Sequence, residues 1–133
     1  MNFDDINKFL KEDGKFYTDE ERIKKIRRER NKLKRLTKDL SSETKVISLP
    51  LIDNIAFCIV QLEELRELIN RDGYYEVYRN GQNQAGLKKS IASDLIIQVG
   101  KNYSMYLKQF REMLPGGIAD GDPFEKWNRE NTT

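Results

Sequence analysis

The sequence predicts an all-α protein built around an antiparallel hairpin of two long helices. Residues 51–69 and residues 92–113 each place apolar side chains at alternating spacings of three and four. That spacing puts each set on one face of a helix, whereas a strand would need a spacing of two. Two such helices joined by a short polar connector most simply pack antiparallel, stripe against stripe. The stripes are Leu51, Ile55, Cys58, Leu62, Leu65 and Ile69, and Ala92, Ile96, Val99, Tyr103, Tyr106, Phe110 and Met113.

Before this hairpin, residues 1–45 are predicted to form a short acidic N-terminal helix and then a basic helix. The first lies within residues 1–13 and is too short to hold in water without a surface to dock on. The basic helix starts after a capping box formed by Thr18 and Glu21, and it should run to about Asp39. Its narrow apolar stripe is enough to lie against one partner helix. That stripe consists of Ile23, Ile26, Leu33, Leu36 and Leu40.

Residues 46–115 are predicted to form the helical-hairpin core, which mediates oligomerisation. The first long helix should begin at Ser48 or Leu49, after a short polar linker. Pro50 then falls in the first turn, where its missing N–H would have no partner in any case. Gly73 suits the residue just past the end of this helix.

The connector at residues 74–89 is predicted to be an ordered loop. Asn80-Gly81 is a turn signal, and the tyrosines before it favour an extended chain. Because the sequence has no other convincing strand, a lone two-stranded ribbon would be marginal. We therefore expect the tyrosines to lie on the helix ends, with stacking on nucleic-acid bases as the alternative. Ser90 suits the N-cap of the second helix, and residues 116–133 are expected to be a flexible C-terminal tail.

The net charge of +2 is distributed unevenly over the 133 residues. Residues 1–21 sum to −4, residues 22–38 to +9 and residues 39–133 to −3. The middle segment has ten basic side chains and one acidic one, whereas an ordinary solvated face mixes both signs. This segment predicts a cationic rod that contacts the phosphates of double-stranded DNA. Its basic residues are Arg22, Lys24, Lys25, Arg27, Arg28, Arg30, Lys32, Lys34, Arg35 and Lys38.

Two other interpretations of the basic helix stay open. A charge run is commonly no more than a solvated face. It can also dock on an acidic protein surface, including the acidic N-terminus of this chain. The second interpretation would make the protein a helical protein–protein regulator that uses no DNA.

Residue types of common catalytic and metal sites are absent or scarce. The chain has no histidine, no phosphate-binding glycine loop and one cysteine. That cysteine, Cys58, lies on the apolar stripe, which predicts a buried, inert thiol and excludes an intrachain disulfide. We expect no enzymatic activity, no cofactor and no metal. The one enzymatic alternative is a metal or acid–base site at Glu63, Glu64 and Glu67, for which a solvated helix face is the simpler account.

The expected location is the cytosol. No signal peptide is visible, because the N-terminus is acidic and lacks an apolar run. The longest apolar run, residues 55–60, is too short to span a bilayer, so we expect no membrane association.

The connector and the second helix carry a pattern that resembles a known family. The residues concerned are Gly73 and the extended stretch after it, Asn80-Gly81-Gln82-Asn83-Gln84, Lys88-Lys89-Ser90, Lys101-Asn102-Tyr103, Leu107-Lys108-Gln109 and Leu114-Pro115. This pattern resembles the terminase small subunit family of tailed double-stranded DNA phages. The resemblance covers about residues 45–115 and contains no catalytic signature. It ends where Gly116-Gly117 and a tail with a tryptophan replace the basic continuation of many relatives, and it leaves out the basic helix.

The resemblance implies a non-enzymatic component of a viral genome-packaging motor, acting in the host cytoplasm. Such proteins assemble into rings and recognise viral DNA at the start of packaging. They deliver the DNA to the large terminase subunit, which holds the ATPase and the nuclease. In this chain, Phe124 and Trp127 of the tail are the candidates for binding the large subunit or the portal, with a tail that binds no partner as the alternative.

Self-association is also expected from the residues themselves. Seven apolar positions widen the two stripes and need a further surface, which other copies of the chain would supply. A ring-like homo-oligomer would also repeat the +9 segment around an axis and multiply its weak phosphate contacts. The seven positions are Ile52, Ile59, Leu68, Ile91, Leu95, Leu107 and Leu114.

Overall fold

Most of the described chain is helical. The computed structural model describes residues 16–79, 81 and 84–115, and 73% of these residues lie in three helices, beside one small two-stranded sheet. The elements in chain order are α1 (Asp19–Arg35), α2 (Ser42–Asp72), β1 (Tyr75–Arg79), β2 (Ala85–Lys89) and α3 (Ile91–Met113). The mainly helical class is therefore confirmed. The helix expected within residues 1–13 and the tail expected at 116–133 lie outside the described residues.

α1 begins as the capping box predicts and ends a turn earlier than expected. The Thr18 side chain accepts a hydrogen bond from the backbone N–H of Glu21 (3.1 Å). Acidic residues fill the first turn, where they complement the positive end of the helix dipole. After Arg35 the chain tightens, because the N–H and the hydroxyl of Thr37 both donate to the Lys34 carbonyl, at 3.0 and 2.7 Å. These hydrogen bonds join residues three positions apart, whereas those of an α-helix join residues four apart, so the α-helix ends here.

α2 begins at Ser42, so the prediction of a start near Ser48 is wrong. The hydroxyl of Ser41 accepts a hydrogen bond from the N–H of Thr44 (3.1 Å) and caps the helix. The segment expected to be a linker is therefore the first helical turn. Pro50 consequently lies inside the helix and offers no N–H to the carbonyl four residues before it. Both positions are exposed, so water can hydrate that carbonyl.

α2 is the longest helix of the described chain, and the other elements are arranged around it. Its 31 residues extend over about 46 Å. The boundary expected at residue 45 falls inside it. The helix ends at Gly73, whose φ of 87° suits glycine and whose N–H donates to the Ile69 carbonyl (2.7 Å).

By length and composition alone, α2 could also cross a membrane. Its most apolar 18-residue stretch has a mean hydropathy of 1.6, and 39% of that stretch is buried inside the structure. Core helices of soluble proteins meet the same two criteria. The expectation drawn from residues 55–60 considered only this short run, whereas the apolar stretch found by this criterion is 18 residues long.

Two buried clusters show that α2 and α3 pack antiparallel, as predicted. The first joins the beginning of α2 to the end of α3 and includes Ile52 and Phe110. The second joins the end of α2 to the beginning of α3 and includes Leu65 and Val99. α1 joins the first cluster through Leu33, whose side chain is completely buried. The basic helix is therefore part of the same core as the hairpin.

Most of the seven apolar positions expected to need a second copy are covered within the chain. The surfaces of α1 and of the facing long helix supply the packing that the sequence argument assigned to other copies. Ile91 and Leu95 remain 65% and 41% exposed. The five that pack against the two clusters or within them are Ile52, Ile59, Leu68, Leu107 and Leu114.

The connector contains a β-hairpin, so the prediction of a loop without strands is wrong. β1 and β2 pair antiparallel, with Val77 opposite Leu87 and Glu76 opposite Lys88. The second of these pairs is an ion pair of 3.3 Å. Gly81 has a φ of 83°, which glycine adopts without steric cost.

The neighbouring helix ends hold the hairpin in place. The Tyr74 carbonyl accepts hydrogen bonds from the N–H of Ser90 (2.9 Å) and from the hydroxyl of Ser93 (3.1 Å). Because helix packing already brings these ends together, closing the ribbon costs less entropy than closing an isolated hairpin. The ring of Tyr78 also covers its cross-strand partner Gly86, where an added Cβ would lie 2.8 Å from the phenol oxygen.

Candidate nucleic-acid interface

Burial divides the ten predicted DNA-binding residues into two sets. Four are half-buried and six are exposed. The half-buried set, here called the inner cations, consists of Arg22, Lys25, Arg30 and Lys32. The exposed set, here called the outer cations, consists of Lys24, Arg27, Arg28, Lys34, Arg35 and Lys38.

The inner cations hold α1 in place. Three of them form ion pairs with carboxylates of α2. These pairs are Arg22 with Glu64 (2.8 Å), Lys25 with Glu63 (3.2 Å) and Arg30 with Asp53 (2.7 Å). Lys32 pairs with Glu29 on α1 itself (3.3 Å). Docking on an acidic surface was one of the open interpretations of the whole basic helix. Within this chain, docking on carboxylates of α2 explains three of its ten basic residues.

The tightest attachment lies at the beginning of α1. One nitrogen of Arg22, Nη2, donates to both carboxylate oxygens of Glu64, at 3.0 and 2.8 Å. The backbone N–H of Tyr17 donates to the same carboxylate (2.8 Å), and the Tyr17 hydroxyl donates to Glu63 (2.7 Å). The ammonium of Lys25 lies 4.7 Å from the centre of the Tyr17 ring, a cation–π contact. Four hydrogen bonds to two glutamates therefore fix this end of the helix.

These contacts shift two titrations away from neutral pH. Burial, followed by the hydrogen bond to Glu63, raises the pKa of the Tyr17 phenol above its ordinary 10.0. The hydrogen bond to Glu64 raises the pKa of the Arg22 guanidinium. At neutral pH the phenol is therefore a donor and the guanidinium is charged, which are the two forms that the attachment needs.

The outer cations lie along the opposite side of α1 as one stripe. Five of them lie on the helix. Lys24 lies about one turn before the adjacent pair Arg27-Arg28, and Asn31 separates that pair from the pair Lys34-Arg35. Lys38 follows in the turn after the helix. From Lys24 to Arg35 the stripe extends over about 17 Å. No outer cation forms an ion pair with any residue of the described ranges.

This stripe has the dimensions and the chemistry of a phosphate-binding surface. About 17 Å of duplex axis presents about ten phosphates, so six cations can all find a partner. Arg27, Arg28 and Arg35 offer planar donor forks that bind phosphate oxygens in pairs. The lysines add point charges without a fixed geometry.

Two of the three carboxylates considered for a metal or an acid–base site have other partners. Glu63 and Glu64 accept hydrogen bonds from Tyr17, Arg22 and Lys25. Across residues 16–79, 81 and 84–115, no three metal-binding side chains lie close enough together to hold an ion. The single cysteine is buried as predicted, and burial raises the pKa of its thiol.

The connector tyrosines line a groove and are more exposed than predicted. Tyr74 and Tyr75 are 68% and 64% exposed, and they line a groove of about 320 Å³. Ile69 and Ile96 of the two long helices and Lys89 of β2 line the same groove. The two tyrosines therefore lie beside the helix ends, as expected, while most of each side chain stays exposed.

Sequence reasoning does not identify Tyr17 or Asp53, although both position the basic helix. Tyr17 lies before the helix, outside any periodic pattern. Asp53 does carry a signal, because it is a single carboxylate within the apolar part of α2. The predicted partner-binding residues, Phe124 and Trp127, lie outside the described residues.

Comparison of the chain with family models, curated proteins and solved structures finds no significant match.

Proposed function

We propose that this chain is a non-enzymatic DNA-binding adaptor of the phage terminase small subunit type. In this proposal it binds double-stranded viral DNA through the outer cations, forms a ring-like homo-oligomer and presents the DNA to a large terminase subunit in the host cytoplasm. The observation that carries the proposal is the division of the basic residues. Six of ten are exposed on one side of α1 with no ion-pair partner in the described chain.

The electrostatics of the stripe support an anionic ligand. Like charges three and four residues apart on a helix repel one another and destabilise it. The inner cations relieve this repulsion with carboxylates of the same chain, and the outer cations do not. A polyanion bound along the stripe would offset the repulsion over its whole length and release counterions.

The attachment of α1 supports the same proposal. Hydrogen bonds and ion pairs hold one side of the helix on α2, so the opposite side is presented in a fixed orientation. A helix held in this way can lie along a phosphate backbone or enter a major groove. Phosphate contact requires only the charges, whereas recognition of bases requires that arginines such as Arg28 reach guanine edges.

The test is equilibrium binding of a fluorescent duplex, measured by anisotropy at several salt concentrations and accompanied by light scattering. The proposal expects an affinity that falls by about a thousandfold between about 50 and 200 mM salt. It also expects a particle larger than one chain that gains mass when DNA is added at low salt. Binding to an acidic polymer such as polyglutamate with indifference to DNA would instead favour the protein–protein regulator.

A further inference from the structure

One pair of facing stripes on the α2–α3 hairpin contains no charged side chain, and exposed charged residues such as Asp53 and Lys101 border it. α2 contributes five positions at spacings of three and four, and α3 contributes six at the same spacings. Ten of these eleven positions are exposed, and Gln61 is half-buried. This surface, here called the neutral face, consists of Ile47, Pro50, Asn54, Phe57 and Gln61 of α2 with Ile91, Leu95, Gln98, Asn102, Met105 and Gln109 of α3.

The neutral face lies on the side of the hairpin away from α1. On α2, Glu63 binds α1, and Gln61 lies about 160° around the helix from it because each residue advances about 100°. Glu64 and Asp53, which also bind α1, lie at the edge of the face, about 60° from Gln61 and Pro50. On α3, Leu107 packs against the cluster that contains Leu33, and Met105 lies two residues before it, again about 160° around. Neither α1 nor the pairing of the two long helices covers these positions.

The composition of the neutral face is that of an interface core. Charged residues make up 35% of the chain, so eleven ordinary exposed positions would include about four of them. Depletion of charge with aromatic and methionine side chains present distinguishes interface cores from the rest of a protein surface. Phe57 and Met105 fit this pattern, since they are 48% and 49% exposed.

The chemistry of the face indicates which partner it fits. A charged partner such as DNA or an acidic peptide would meet opposite charges, and the neutral face has none. Five of its eleven residues are asparagine or glutamine, whose amides both donate and accept hydrogen bonds. The same face on another copy therefore offers matching donors and acceptors across a two-fold axis. The five amides are Asn54, Gln61, Gln98, Asn102 and Gln109.

We propose that the neutral face is the surface through which this chain associates with a second copy of itself. The face is about 20 Å wide, and it extends over about 21 Å of α2 and about 27 Å of α3. Two such faces would bury about 1,000 Å² in total, which is roughly the least that a specific interface needs. Of the seven positions first assigned to oligomerisation, only Ile91 and Leu95 belong to it.

This inference concerns one two-fold contact within the self-association of the proposed function, not the head-to-tail contacts that close a ring, and it is separable from DNA binding. The outer cations lie on α1, and the neutral face lies on the other side of the hairpin. A change that abolishes association therefore leaves every outer cation in place.

The experiment places like charges on the neutral face and measures mass by light scattering. One variant carries Asn54→Glu with Asn102→Glu, and a second carries Asn54→Lys with Asn102→Lys. Wild type is expected above the 15.7 kDa of one chain, and each variant near it, because like charges at an interface weaken association by about a hundredfold or more. An equal mixture of the two variants should recover the larger mass, since opposite charges then meet.

The matched control carries Asn70→Glu with Ser104→Glu, two exposed positions outside the neutral face. It should keep the wild-type mass, and circular dichroism should show that all variants retain the helical content of wild type. A wild type at the mass of one chain, or glutamate and lysine variants that keep the wild-type mass, would overturn the inference. Flotation of wild type with uncharged phosphatidylcholine vesicles, with no self-association, would overturn it in favour of a membrane.

DNA binding is measured on the same variants to separate the two proposals. Loss of association with retained salt-sensitive DNA binding supports both. If the variants keep the wild-type mass and still bind DNA, only the proposed interface at the neutral face is refuted. If wild type associates normally but does not bind DNA, only the proposed DNA-binding function is refuted.

Discussion

The division into inner and outer cations predicts that two charge-matched double variants of the basic helix differ in DNA binding. The outer variant carries Lys24→Gln with Lys34→Gln, and the inner variant carries Lys25→Gln with Lys32→Gln. Both remove two positive charges from the same helix by the same chemical change. Only the outer variant removes groups that are free to contact phosphate.

The expected magnitude follows from the number of phosphates neutralised. The logarithm of the binding constant falls with the logarithm of salt with a slope of about −0.9 for each phosphate contact to B-DNA. Six outer cations give a slope of about −5 for each chain, whereas all ten would give about −9. The outer variant should therefore flatten the slope by about 2, and the inner variant should leave it unchanged.

The assay is fluorescence anisotropy of a labelled duplex over a series of salt concentrations, with the folded fraction of each variant checked by circular dichroism. The inner variant is expected to be less stable, because it removes the Lys25–Glu63 contact that holds α1 on α2 and the Lys32–Glu29 pair within α1. An inner variant that flattens the slope as much as the outer one would show that the ion pairs open on binding. That result, or a slope near zero for wild type, would refute the assignment of DNA contact to the outer cations.

Three further predictions concern stability. Leu33→Ala should lower the free energy of unfolding by about 2–5 kcal/mol, measured by urea denaturation, because it opens a cavity in the cluster that joins α1 to the hairpin. Glu64→Gln should lower it by about 1–2 kcal/mol at neutral pH by weakening the hydrogen bonds from Arg22, and an unchanged urea midpoint would contradict this. The pKa of the Tyr17 phenol is higher in the folded than in the unfolded protein. The contribution of Tyr17 to the free energy of unfolding should therefore be complete below pH 10.0 and decline above it. Tyr17→Phe should remove that alkaline decline, and a decline of equal size in the variant would contradict the assignment.

The helical framework and the basic surface follow from local patterns. The two apolar stripes predict the antiparallel hairpin, and Thr18 with Glu21 predicts the beginning of α1. The charge run locates the cationic helix because ten basic residues in seventeen need no tertiary information to be recognised. The start of α2 is missed because a proline in a helical sequence most simply predicts the first turn of the helix. In the structure the helix is capped at Ser41, and Pro50 lies inside it because solvent surrounds the Val46 carbonyl, which lacks its usual partner.

The β-hairpin is missed for a different reason. A ribbon of five residues on each strand is marginal alone, and its local sequence says nothing about where its ends will be held. Packing of α2 against α3 brings Tyr74 next to Ser90 and Ser93, which fixes the two ends of the ribbon. The same holds for Glu63 and Glu64, whose role as the docking site of α1 depends on residues more than 35 positions away.

By itself, the sequence determined where the three helices lie, which of their faces are apolar and where positive charge accumulates, because these properties depend on spacings within one element. Only the tertiary structure decided which cations are bound to α2 and which are presented to a ligand. It also decided that Ile52 and Leu114 are core residues and that α1 and the pairing of α2 with α3 leave the neutral face exposed. These outcomes depend on which elements pack on which sides, and such packing joins residues that are distant in the chain.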